Sequence, residues 1–170
     1  TGINPVTGYR YQYYTLRKLR PAKLREVEKM QVQIYISHSY KAPRKTKGVY
    51  GYILVYHDPQ GGSHKDRVPE AEATPHEADL MAAVEALKAL NRPCAVEIIG
   101  CSYLSSAEQW LSRWRENGWK NVKGQEIAHK DLWQKYNGQI LRHRVKFGIS
   151  GSFSGWLETE IRKKKEKIGG

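Results

Sequence analysis

From Gln31 onward the chain alternates polar and apolar positions in a way that assigns its elements. Gln31-Val32-Gln33-Ile34-Tyr35-Ile36 has the two-residue period of a strand with one face toward a core, and it ends in the turn-like Ser37-His38-Ser39-Tyr40. Residues 49–56 form a second apolar run, Asp58-Pro59-Gln60-Gly61-Gly62 reads as a turn, and a polar third strand is expected over about 63–71. The period then changes. Thr74-Pro75-His76-Glu77 joins an N-cap residue, a proline in the first helical position and an acid, and Leu80, Ala83, Val84, Leu87 and Leu90 fall on one helical stripe. Pro93 stops that helix, and 95–100 is a fourth strand. A helix through Trp110 and Trp114 begins at Ser102 or Ser105, and another opens at Asp131-Leu132-Trp133-Gln134. A fifth strand at 144–149 and a basic helix from about Ser154 close the chain. The predicted order β-β-β-α-β-α-α-β-α implies an α/β fold. Its five-stranded mixed sheet has three antiparallel strands followed by two parallel ones, flanked by helices.

At 170 residues the chain suits one ordinary domain that buries its own core, and no apolar run reaches the length of a membrane helix. The beginning, Thr1-Gly2-Ile3-Asn4, lacks a charged-then-apolar leader, and a cytoplasmic setting is the expectation. Cysteine usage agrees. Cys94 and Cys101 bracket the fourth strand, beyond disulfide reach of each other and without a cluster that would hold zinc.

Charge changes the picture more. The formal net charge is +12, which favours a polyanionic partner without indicating a fold or a reaction. Residues 1–30 carry +5 of it, 156–170 carry +2, and 31–155 only +5. The chain therefore divides into a basic, Tyr-rich arm or linker over 1–29 and a domain over 30–168. In the arm, Tyr9, Tyr11, Tyr13 and Tyr14 alternate with Arg10 and Gln12, a pattern that suits rings stacking on bases and equally suits a strand or linker packed on the domain. Pro21 is placed to open a short helix through Glu28, and Met30 is an alternative internal start.

The segments 31–39 and 49–54, the Asp79-Leu80-Met81-Ala82-Ala83 helix, Trp110-Leu111-Ser112-Arg113-Trp114 with Gly118-Trp119-Lys120, and Asp131-Leu132-Trp133-Gln134 resemble the type 1 ribonuclease H family, in order, across about 30–165. The resemblance implies a ribonuclease H-like fold. It also implies cleavage of RNA in an RNA–DNA hybrid by two divalent metals on four carboxylates. Carried over position by position, those carboxylates fall on Ser37, Asp79, Gly100 and Lys163, and the family's mobile-loop histidine falls near Phe153. Only Asp79 is an acid. Glu77 points elsewhere on its helix, and His38 beside Asp79 is too small a ligand set. The expectation is a pseudoenzyme with no catalytic residues, no metal and no cofactor, Mg²⁺ or Mn²⁺ entering only with residual activity.

Binding is the function left. In the segment that resembles the family's hybrid-gripping handle, Arg113, Trp114, Arg115, Trp119, Lys120 and Lys123 are candidate nucleic-acid contacts, although the tryptophans equally suit packing between helices. Lys41, Arg44, Lys45 and Lys47 are placed beside the former active site. The run Arg162-Lys163-Lys164-Lys165-Glu166-Lys167 reads as a solvated helix end. The leading expectation is therefore a catalytically silent domain that binds hybrid or other duplex through basic surfaces. A protein-docking module using 1–29 and a weak, non-standard nuclease are the alternatives.

Overall fold

A computed structural model of the protein describes residues 21–58 and 61–169. The Tyr-rich stretch of the arm lies outside the described residues. The first described element is helix α1 (Pro21–Lys29), followed directly by β1 (Gln31–His38), β2 (Thr46–Asp58), β3 (Gly61–Arg67) and β4 (Glu70–Ala73). Then come α2 (Pro75–Lys88), β5 (Ala95–Ile99), α3 (Ser102–Glu116), α4 (Lys130–Ile140), β6 (Arg144–Gly148) and α5 (Ser154–Gly169). Helix α1 is part of the domain: its Val27 is buried, and Glu28 pairs with Arg144 at the start of β6. The folded unit therefore begins before residue 30.

The sheet order is β3-β2-β1-β5-β6, antiparallel through β3, β2 and β1 and parallel through β1, β5 and β6, as the element order predicts. The third strand differs from the reading as a single segment. It is broken at Val68-Pro69 into β3 and β4, both paired with the 13-residue β2, which gives the sheet a sixth, short strand. Pro69 has no N–H to continue the ladder, and the break crosses over Gly51, where a Cβ would stand 2.8 Å from the Arg67 carbonyl oxygen.

Strand alternation sorts the core into two layers. Ile34 and Ile36 of β1 and Tyr52 and Leu54 of β2 face α2, α3 and α4, whose Leu80, Leu87, Leu104, Leu111, Trp133 and Tyr136 complete that side. Tyr35, Ile53, Val55 and Ile99 face the other way, onto Leu157 and Ile161 of α5. The two layers hold α2 and α5 on opposite faces, with both passing the same end of the sheet.

Helix α2 begins as its sequence predicts. The Thr74 hydroxyl accepts the Glu77 N–H at 3.2 Å, and the Glu77 carboxylate accepts the Thr74 N–H at 3.0 Å. Burial alone would raise the Glu77 carboxyl, but that bond and the Lys45 charge hold it below its ordinary value. Thr74→Ala removes half of this reciprocal cap. The variant is expected to lose about 1 kcal/mol in a urea titration, whereas an unchanged midpoint would show that packing alone sets the start of α2.

Candidate functional site

The carboxyl ends of β1 and β5, the first turn of α3, the middle of α2 and the first turns of α5 enclose a cleft of about 250 Å³. Its lining includes Ser37, His38, Asp79, Gly100, Cys101, Ser102, Ser154 and Glu158. Open sheets bind ligands at this edge, because the parallel strands and their crossover helices all point there.

Asp79 is buried and its carboxylate is already engaged. His38 Nε2 stands 3.4 Å from Asp79 Oδ1, and His38 Nδ1 accepts the Tyr40 N–H at 3.2 Å. On the other side the Cys101 thiol hydrogen-bonds Asp79, and burial followed by the Asp79 charge pushes that thiol well up, so it stays protonated. Asp79 thus lies between the His38 ring and the Cys101 thiol.

Of the four positions carried over from the family, the structure brings Ser37, Asp79 and Gly100 to this cleft and leaves Lys163 out. Lys163 pairs with Glu160 at 3.7 Å and lines a different groove with Val68, Glu70 and Glu166. The last-helix acid of the cleft is Glu158. Five residues on a helix turn through about 140° beyond a full circle, so Glu158 and Lys163 cannot face the same cavity. Phe153 is also displaced from its expected role. It packs against Tyr35 and His64 at ring separations of 5.8 and 5.5 Å, in the layer under α5.

The cleft therefore holds two carboxylates, Asp79 and Glu158, where two metal ions call for about twice that charge. Gly100 is more than a missing acid. Its φ is +86°, and a Cβ there would stand 3.2 Å from the Ile36 carbonyl oxygen, so the backbone itself disfavours any L side chain. Among the described residues, no group of three or more His, Cys, Asp and Glu is arranged to hold a metal ion. The residues present do not fit a two-metal centre.

The basic candidates divide by environment. Lys41, Arg44, Lys45 and Lys47 are all exposed on the loop after β1 and the start of β2, and Lys45 pairs with Glu77 at 3.6 Å. In the segment around α3, Arg113, Lys120 and Lys123 are exposed, whereas the half-buried Arg115 donates to Asn137 on α4. Trp114 meets Trp133 edge-on at 5.1 Å, and Trp119 is half-buried against the same layer, so these two rings are engaged in packing. The ring left outward is Trp110, which carries the Arg113 guanidinium 5.2 Å from its centroid.

The RNase H family pattern matches residues 29–155. The chain belongs to the RNase H family. Its relatives include ribonuclease H of Clostridium botulinum, 36% identical over 107 residues covering 60% of this chain and 68% of that protein. The ribonuclease H of Pseudomonas aeruginosa is 33% identical over 122 residues, covering 71% and 80%. Among solved structures, LC9-RNase H1, a type 1 RNase H with the type 2 active-site motif, superposes with a TM-score of 0.67 at 18% identity, covering 83% of this chain and 74% of that one. A foamy viral protease-reverse transcriptase in complex with dsDNA gives 0.59 at 16%, covering 79% and 90%. These two share the RNase H fold with this chain. Among its described residues, no helix is long and apolar enough to cross a membrane.

Proposed function

We propose that this RNase H-family chain binds an RNA–DNA hybrid, or a related duplex, through its basic surfaces without cleaving it. The observation that carries the reading is the cleft itself: Ser37 and a left-handed Gly100 stand where the family resemblance implies carboxylates, and Asp79 lies against His38 and hydrogen-bonds the Cys101 thiol. Support for the ligand comes from Arg113, Lys120 and Lys123 on one segment and Lys41, Arg44 and Lys47 on another, all exposed. A neighbour in fold, the foamy viral protease-reverse transcriptase, is solved in complex with RNA/DNA hybrid. Such contacts reach phosphates rather than base edges, so affinity is independent of sequence and needs no divalent metal. The buried, unbridged Cys94 and Cys101 suit a reducing, cytoplasmic setting.

The test is binding of labelled hybrid, double-stranded RNA and single-stranded DNA across a salt series, followed by a search for cleavage with Mg²⁺ or Mn²⁺ in the same tubes. With about six phosphate contacts, affinity is expected to fall about a thousandfold between roughly 50 and 200 mM salt, with the strands intact. Cleavage abolished by Asp79→Asn overturns the silent-site reading. Salt-insensitive binding points instead to a docking module, and no binding at low salt removes the nucleic-acid reading.

A further inference from the structure

A second groove, of about 530 Å³, adjoins the cleft on the side of the β1–β2 loop. Ser37, His38 and Glu158 line both cavities, so the two share a wall. The floor of the second is Ala42 and Ile161, and its walls carry Lys41 and Lys47 from one side and Arg162 and Lys165 from α5 on the other. Glu158 is its one lining acid among the described residues.

The basic run on α5 is therefore divided by helical geometry. Arg162 and Lys165, three apart, face this groove, while Lys163, Lys164 and Lys167 line the opposite one with Glu70, Glu160 and Glu166. On that opposite side the charges are mutually compensated. On this side they are not: among the described residues, Lys41, Lys47 and Arg162 have no carboxylate at ion-pair distance. Lys165 donates to the Lys47 backbone carbonyl at 3.4 Å, which ties α5 to the start of β2 across the groove. Four cations gathered about one groove repel one another unless an anion joins them.

We infer that this groove is a binding site for the phosphodiester chain of a nucleic-acid strand, taking the phosphates that run on from the cleft past Ser37 and His38. The inference rests on the nucleic-acid reading above and adds to it a place on α5 that the sequence presents only as a solvated helix end. The ligand chemistry is a run of singly charged phosphates: four separate cations along an open groove suit a chain of charges better than one compact anion.

The test compares wild type with R162Q/K165Q and with R113Q/K120Q, using labelled hybrid and, separately, inorganic tripolyphosphate as a probe of the groove alone. The α5 pair is expected to weaken hybrid binding about tenfold and to reduce the salt slope by about 1.8, two contacts at about 0.9 each. It should also weaken tripolyphosphate, and R162K/K165R should restore both. The R113Q/K120Q variant should weaken hybrid alone. If R162Q/K165Q, with an unchanged melting profile, keeps wild-type affinity for both probes, the groove is overturned while the wider reading stands. If wild type ignores hybrid but binds tripolyphosphate through Arg162 and Lys165, the groove stands as a phosphate site and the wider reading falls. If wild type binds neither, both fall.

Discussion

Between pH 7 and pH 4 the protein is expected to lose about 3 kcal/mol of folding stability through one side chain, His143. The ring is fully buried between the end of α4 and the start of β6, and its Nδ1 accepts the Cys94 N–H at 3.1 Å. Burial, and after it the neighbouring Arg142 charge, lower its pKa from 6.5 to about 4. Because the folded value lies below the unfolded one, the unfolded chain takes up the proton first. Stability is complete above pH 6.5, declines as pH falls toward 4, and levels off below that. The geometry supplies the reason. Protonation would turn Nδ1 into a donor facing the Cys94 N–H, and the same corner also joins Arg144 N–H to the Cys94 carbonyl at 3.0 Å and Arg142 to the Leu90 carbonyl at 3.0 Å. Urea titrations at steps between pH 7 and pH 4 check this. His143→Gln keeps a side-chain acceptor without the titration, so its stability should be lower at pH 7 but flat across the interval. An acid limb as steep as that of wild type would assign the loss to other groups.

What could be read from the residues follows how local the determining chemistry is. The start of α2 was legible because Thr74, Pro75 and Glu77 make the cap among themselves. The alternation at the start of β1 was legible because Val32 and Ile34 are buried while Gln31 and Gln33 are not, and the stripe Leu80, Ala83, Val84, Leu87 and Leu90 because all five are buried together. The break between β3 and β4 was not, since it depends on Gly51 of another strand passing beneath Arg67. The misplacement of the last-helix acid at Lys163 has a similar origin. Helix α5 follows the irregular stretch 149–153 and has only Leu157 and Ile161 fully buried, so its polar pattern does not set its rotation. Glu158 is identified only when the sheet end and α5 meet in space. The same holds for the division of the basic run between two grooves. Asp79 was legible as an acid near the cleft, but its neighbours there, His38 and Cys101, come from distant parts of the chain.

Ser37→Asp is expected to give the cleft a divalent-cation response that wild type lacks. The new carboxylate would line the cavity that already holds Asp79 and Glu158, raising its acids from two to three. Without metal, three like charges in one cleft repel, so the variant should melt below wild type. Mg²⁺ relieves that repulsion. At a concentration about ten times its dissociation constant it should restore about 1.4 kcal/mol, read as a rise in melting temperature, while wild type stays level. The size of the response depends on His38, which must release Asp79 as the ion enters, so Ser37→Asp with His38→Ala should respond at lower Mg²⁺. Adding Gly100→Asp is expected to cost about 1 kcal/mol or more rather than to improve the site, because a side chain at φ +86° is forced toward the Ile36 carbonyl. The two replacements are therefore unequal. Ser37 sits on ordinary strand backbone that accepts an acid, whereas Gly100 has a backbone turned away from one. A wild-type protein that itself rises in melting temperature with Mg²⁺ as far as Ser37→Asp does would mean that Asp79 and Glu158 suffice to hold a metal. The case for a silent cleft would then fail at its first step.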